Sequence, residues 1–150
     1  MTRDEPFIPT VLVMELSGNM GGTSPEEAVS LFSGAVSETA SGCARAGGTI
    51  GHIKANLRSS GEMVSASSTT EDGNVRLRYG LESAVEDYSI VMNAIVYCLE
   101  YRDMKAIAEK AFSALPVDTS VWNKGGLCND PKCGDPDCKD SSHRKIVDLL

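Results

Sequence analysis

The chain contains the stretch Ile50-Gly51-His52-Ile53-Lys54-Ala55-Asn56-Leu57-Arg58, in which apolar and polar residues alternate. Successive side chains of a β-strand point to opposite faces of the sheet. One face receives Gly51, Ile53, Ala55 and Leu57, and the other receives His52, Lys54, Asn56 and Arg58. This alternation predicts a strand that is buried on one face only.

Two further strands are predicted immediately after this stretch. Residues 62–70 follow the turn-forming segment Ser59-Ser60-Gly61, and residues 75–81 follow residues 71–74, which contain an Asp-Gly pair. Short turns of this kind join antiparallel neighbours. The three strands should therefore form an antiparallel meander.

A strand and a helix are predicted before the meander. Residues 9–17 are rich in strand formers. The helix should begin after Ser24, because this serine is a suitable N-cap, Pro25 favours the first helical position and Glu27 completes a capping box. The helix should run to about Ala46, where a pair of glycines stops it.

A second helical region is predicted from about residue 83. Residues 90–99 are almost wholly apolar, which is typical of a deeply buried helix, and an amphipathic set then runs to Pro116. The order β-α-β-β-β-α predicts an α+β fold, with a mostly antiparallel four-stranded sheet and helices on one face, in a core domain of residues 1–116. The apolar helix leaves a homodimer interface open as an alternative to burial within the chain.

Composition narrows the class of protein. The chain has 150 residues, 41% hydrophobic content and a formal net charge of −7, which are values of an ordinary soluble domain. No apolar run is long enough to cross a membrane, and an acidic protein has no general attraction for nucleic acid or anionic lipid. The N-terminal residues lack a signal-peptide pattern, so a cytoplasmic location with reduced thiols is expected.

A cluster of cysteines follows a hinge-like linker predicted at residues 117–126. The segment Cys128-Asn-Asp-Pro-Lys-Cys133-Gly-Asp-Pro-Asp-Cys138-Lys-Asp-Ser-Ser-His143 places potential metal ligands at an even spacing of five. Three thiols and an imidazole suit a closed, structural zinc site and, less often, an iron–sulfur cluster. Residues 127–150 are therefore predicted to form a metal-binding tail, with the ligands Cys128, Cys133, Cys138 and His143. The alternative is a polar tail whose cysteines cluster without function or pair oxidatively.

The meander also concentrates positive charge on one face of the sheet. The polar sides of its strands carry His52, Lys54, Arg58, Arg76 and Arg78. Such a face could bind the oxyanion of a phosphorylated small molecule or nucleotide, an RNA backbone, or an acidic protein surface. The alternative is an ordinary solvated sheet face. Stacking aromatic residues are missing from these positions, so nucleic acid is not an expected partner.

Three functional hypotheses follow from these patterns. The first is a non-catalytic accessory, regulatory or assembly protein that binds zinc and acts through protein contacts. The second is a binding module or small enzyme that uses the basic face for an anionic ligand, and the third is an iron–sulfur or redox-active cysteine protein. No catalytic motif is recognisable, which favours a non-enzymatic role without deciding it. The other cysteines, Cys43 and Cys98, are interpreted as small buried hydrophobes.

Overall fold

The computed structural model describes residues 8–70 and 73–125. Six strands form a single antiparallel sheet in the order β4-β3-β2-β5-β1-β6. The elements are β1 (Thr10–Thr23), α1 (Pro25–Arg45), β2 (Thr49–Ser59), β3 (Glu62–Ser68), β4 (Arg76–Gly80), β5 (Val85–Tyr97), α2 (Tyr101–Ala111) and β6 (Thr119–Lys124). The α+β class and the antiparallel sheet are confirmed. Neither of the two helices in the described ranges is long and apolar enough to cross a membrane.

The connections form two interleaved β-α-β units. β1 and β2 are both antiparallel to β5, which lies between them, so β1 and β2 run in the same direction and α1 connects them. In the same way, β5 and β6 both pair with β1, and α2 connects them. This is the β-α-β-β-α-β topology known as ferredoxin-like, here extended by the hairpin of β3 and β4. The topology describes the scaffold and does not specify a function.

Both helices pack on the same face of the sheet. The core between them includes the fully buried side chains of Phe32 in α1, Met104 in α2, and Ile53 and Met92 in the sheet. The predicted start of α1 is confirmed: Pro25 is the first helical residue, and the Ser24 hydroxyl accepts a hydrogen bond of 3.2 Å from the Glu27 backbone N–H. Among the described residues, no helix covers the other face of the sheet, which we call the open face.

The sheet has six strands rather than four, and the largest correction concerns residues 83–99. This segment, predicted to be helical, contains the central strand β5. Its apolar residues continue on both faces, and a strand that is buried between two neighbours has no clear alternation. Since Ile90 and Met92 are buried under the chain's own helices, this segment no longer argues for a homodimer interface.

The ends of the sheet also extend further than predicted. β1 continues past residue 17 to Thr23, with an irregular register after Asn19, where Gly21 and Gly22 adopt positive φ values. β6 lies within the segment predicted to be a hinge-like linker and pairs with β1. Trp122 of β6 packs against the core. The sheet therefore continues beyond residue 116, because the edge of β1 offers a backbone ladder that β6 completes.

A close contact fixes the chain where α2 leads into β6. The Tyr88 hydroxyl donates a hydrogen bond of 2.6 Å to the Pro116 carbonyl oxygen, and the Asp118 backbone N–H donates to the Ser17 carbonyl oxygen at 2.8 Å. Burial, with a smaller contribution from the Asp118 charge, raises the pKa of Tyr88 to about 12. Gly18 lies against the same carbonyl, and a Cβ atom at this position would overlap the Pro116 oxygen. Only glycine fits there.

Two glycine-to-alanine substitutions should therefore have opposite effects on stability. We expect Gly18→Ala to lower the free energy of unfolding by about 1–3 kcal/mol, because the new methyl group displaces the Pro116 backbone. Gly34 is an exposed helical residue with open space around its Cβ position, so Gly34→Ala should raise the stability by up to about 1 kcal/mol. Urea unfolding of both variants measures the difference. A Gly18→Ala protein as stable as the parent would contradict the contact.

Candidate functional site

The basic residues predicted from the sequence lie on the strands of the open sheet face. In the register, Ser67 of β3 is opposite Lys54 on one side and Arg76 on the other. Ser65 is likewise placed between Asn56 and Arg78. The predicted meander of β2, β3 and β4 is thus present. We call His52, Lys54, Arg58, Arg76 and Arg78 the basic face.

Among the described residues, no ion pair neutralises the positive charge of the basic face. Within the described ranges, the salt bridges join Arg45 to Glu38 and Arg102 to Glu100, all of them on or beside the helices. Lys54, Arg76 and Arg78 are exposed. The cations on β2 and those on β4 are separated by two strand spacings, about 10 Å. The Arg78 guanidinium lies 6.0 Å from the centre of the Tyr79 ring. The cations are therefore available to a partner.

Glu62 is near the basic face in sequence but binds elsewhere. Its carboxylate accepts hydrogen bonds from the backbone N–H groups of Glu82 (3.0 Å) and Ser83 (3.2 Å), and from the Ser83 hydroxyl (3.3 Å). The backbone hydrogen bonds lower the pKa of Glu62, and the bond from Glu82 makes the largest contribution. Glu62 therefore anchors the loop between β4 and β5 instead of neutralising an arginine.

Buried amides form part of the floor of the open face. Asn56 is only 9% exposed and Asn93 only 7%. The Ser65 hydroxyl donates a hydrogen bond to the Asn56 side-chain oxygen. The Asn56 amide nitrogen and the Asn93 amide have no hydrogen-bond partner within residues 8–70 and 73–125. Buried polar groups are normally paired, so this floor retains hydrogen-bonding capacity.

A shallow concavity of about 390 Å³ adjoins the basic face, and the sequence did not predict it. It is lined by residues of β1, β2, β5 and β6, among them Glu15, Ser17, Asn56, Arg58, Ser89, Val91, Thr119 and Val121. Half of these residues lie on β5, which was predicted to be a helix, or on β6, which was predicted to be a linker. A signal was present in residues 87–90, where polar Asp87 and Ser89 alternate with apolar Tyr88 and Ile90.

The predicted metal ligands Cys128, Cys133, Cys138 and His143 lie outside the described residues. Within the described residues, no group of three or more His, Cys, Asp or Glu side chains could hold a metal ion. Cys43 is buried as predicted, and burial raises its pKa to about 11. Cys98 is exposed rather than buried, because it follows the last residue of β5 and has a positive φ value.

His52 is the residue of the basic face whose imidazole could take part in acid–base chemistry near neutral pH. It is partly exposed at an irregular register position of β2, opposite Ile95. Its side chain makes no hydrogen bond or ion pair with a carboxylate of the described residues. His52 is therefore not part of a His–carboxylate pair within residues 8–70 and 73–125.

Comparisons with known proteins give no family assignment. No protein-family model matches the chain, and comparisons with curated proteins and with solved structures also gave no match. The function must therefore be inferred from the chemistry of the open face and of the cysteine segment.

The Glu62 contacts predict a specific titration. We expect the Glu62 carboxyl to titrate below the usual range of glutamate, and the Glu82 and Ser83 amide resonances to follow the same transition. A glutamate whose folded pKa is depressed contributes stability that is present above its unfolded pKa and lost as the pH falls through the folded pKa. Carbon-detected NMR of the carboxyl group measures this directly.

The matched variant for this titration is Glu62→Gln. In the Glu62→Gln variant, the Glu82 and Ser83 amide resonances should no longer follow the titration of a carboxyl group at acidic pH. A Glu62 pKa at or above the ordinary glutamate value would rule out the anchoring contact.

Proposed function

We propose that this chain is a non-catalytic accessory protein that contacts an acidic partner protein through the basic face. The observation that carries the proposal is a set of neighbouring cations without ion-pair partners within the described ranges, in a chain whose net charge is −7. Charge complementarity of this kind guides association and selects partners.

The shape of the basic face favours a protein partner. Small-molecule sites are usually concave and enclose most of the ligand, whereas Arg76 and Arg78 lie on the exposed edge strand β4. Single-stranded nucleic acid binding relies on stacking rings, and the centre of the open face carries Val91, Asn93 and Asn56 instead. An acidic protein segment needs neither an enclosure nor a stacking platform.

Removal of two cations from β4 tests this proposal. The probe is a fluorescent polyglutamate peptide, with binding followed by anisotropy at low salt. We expect the Arg76→Ala/Arg78→Ala variant to bind about tenfold more weakly, since two exposed ion pairs together contribute about 1.4 kcal/mol. The matched control is Arg102→Ala/Lys110→Ala, which removes two exposed cations from α2 and should change the affinity less than twofold.

Three outcomes would contradict the proposal. Equal losses of polyglutamate affinity in both variants would indicate non-specific electrostatic attraction. If the parent protein did not bind the peptide, the basic face would be an ordinary solvated surface. Stronger binding of single-stranded RNA than of polyglutamate would indicate a nucleic-acid partner instead.

A second proposal concerns the C-terminal segment, on sequence evidence. We propose that Cys128, Cys133, Cys138 and His143 bind a structural zinc ion. The support is the ligand set itself, three thiols and an imidazole at even spacing with turn-forming Asp-Pro steps between them. Thiolate ligands must remain reduced, so this proposal places the protein in the cytoplasm. Zinc bound there would order the segment for protein contacts.

Elemental analysis of anaerobically purified, untagged protein tests the zinc proposal. We expect stoichiometric zinc in the parent protein and its loss in Cys133→Ser. All four ligands of a closed site come from the protein, so the loss of one thiolate leaves the coordination incomplete. The matched control is Cys98→Ser, which alters an exposed thiol of the described region and should retain the metal. A brown protein with iron and sulfide would favour the iron–sulfur alternative. A parent protein without metal would contradict both the zinc proposal and the iron–sulfur alternative.

A further inference from the structure

The concavity of the open face has a regular arrangement of side chains that the basic face does not explain. Val91 of β5 lies at its centre, opposite Glu15 of β1 on one side and Asn56 of β2 on the other. Two residues before Val91, and on the same face of β5, Ser89 lies between Ser17 of β1 and Arg58 of β2. The register therefore places a carboxylate on one side of β5 and a guanidinium on the other.

The two opposite charges do not satisfy each other. Glu15 and Arg58 are on strands that are two spacings apart, about 10 Å, and they form no ion pair. A simple anion in the concavity would be repelled by Glu15, and a simple cation would be repelled by Arg58. A molecule that carries both charges can pair with each residue at once.

The polar lining of the concavity provides further hydrogen-bonding groups. Asn56 is nine-tenths buried, and its side-chain oxygen is already used by the Ser65 hydroxyl, which leaves its amide N–H groups to a ligand. The hydroxyls of Ser17, Ser89 and Thr119 also make no hydrogen bond with another described residue. A buried donor without a partner is costly, so a polar ligand at this position would be stabilising.

The same concavity has an apolar part. Val91 lies at the centre, and Val121 of the edge strand β6 is 47% exposed at the rim. We propose that the concavity binds a free α-amino acid with an apolar side chain. Arg58 would hold the carboxylate, Glu15 the ammonium group, and Val91 and Val121 the side chain. This proposal goes beyond the docking of an acidic protein and uses a different part of the open face, with only Arg58 in common.

The test is an NMR titration of the ¹⁵N-labelled full chain with L-leucine at millimolar concentrations. We expect saturable shifts confined to resonances of the concavity. Two analogues each lack one charged group: 4-methylpentanoate has no ammonium group, and isopentylamine has no carboxylate. Each should bind at least about tenfold more weakly than L-leucine, the loss of one charge-assisted interaction. Equal binding of L-leucine and either analogue would overturn the proposal, as would the absence of saturable shifts.

Single substitutions test which side chain binds each charged group of L-leucine. Glu15→Gln should weaken L-leucine binding about tenfold but should not weaken 4-methylpentanoate binding, because it removes a carboxylate that repels this anion. Arg58→Gln should weaken the binding of both compounds. The matched control is Glu109→Gln on α2, which should change neither. Loss of L-leucine binding in all three variants, or in none, would contradict the assignment.

The polyglutamate assay separates this site from the docking surface. Glu15→Gln should retain polyglutamate binding, and Arg76→Ala/Arg78→Ala should retain L-leucine binding. Binding of polyglutamate without L-leucine would overturn the amino-acid site alone, and the reverse result would overturn the docking surface alone.

Discussion

The register of β5 between β1 and β2 is the constraint on which the rest of the structure depends. β5 is antiparallel to both neighbours, and Ile90 and Met92 point into the core. Because side chains alternate with a period of two, a slip of one residue would exchange these residues for Val91 and Asn93. The slip would remove the side chains of Ile90 and Met92 from the core, with the loss of the apolar area that they bury there. Core packing therefore fixes which residues of β5 face outwards, and with them the arrangement of the open face.

The predictability of each element follows from its environment. β2 and β3 each have one face against the core, so their sequences alternate and both strands were predicted. The start of α1 is encoded locally by Ser24 and Pro25, which act without tertiary contacts. β5 has apolar residues on both faces, because Val91 and Ile95 lie on the open side, and the alternation in residues 90–99 is lost. Local composition cannot separate such a strand from a buried helix.

The same reasoning explains which parts of the site were predictable. The basic face lies on the first and third of three strands that are consecutive in sequence, β2, β3 and β4, so strand alternation alone placed Lys54 and Arg76 together. The concavity combines β1, β5, β2 and β6, which are distant in sequence and meet only through the two crossover connections. Glu15 and Thr119 could not be related to Arg58 until the order of the strands was known. A site made by non-local strand pairing requires the topology as well as the pattern.

The distribution of charge over the sheet argues against a purely passive open face. On the open face, the cations are on β2 and β4, whereas the exposed acidic residues Glu15 and Asp87 are on β1 and β5. Interspersed charges of both signs are sufficient for solubility, and like charges in neighbouring rows repel one another. A cluster of cations therefore has a cost, which in a chain of net charge −7 is offset once an anionic group lies against it. Arg58 lies beside the concavity at the end of this cluster, so the local field there changes sign over about two strand spacings, or about 10 Å. An extended acidic segment fits the uniform part of that field, and a small dipolar molecule fits the part where the sign changes.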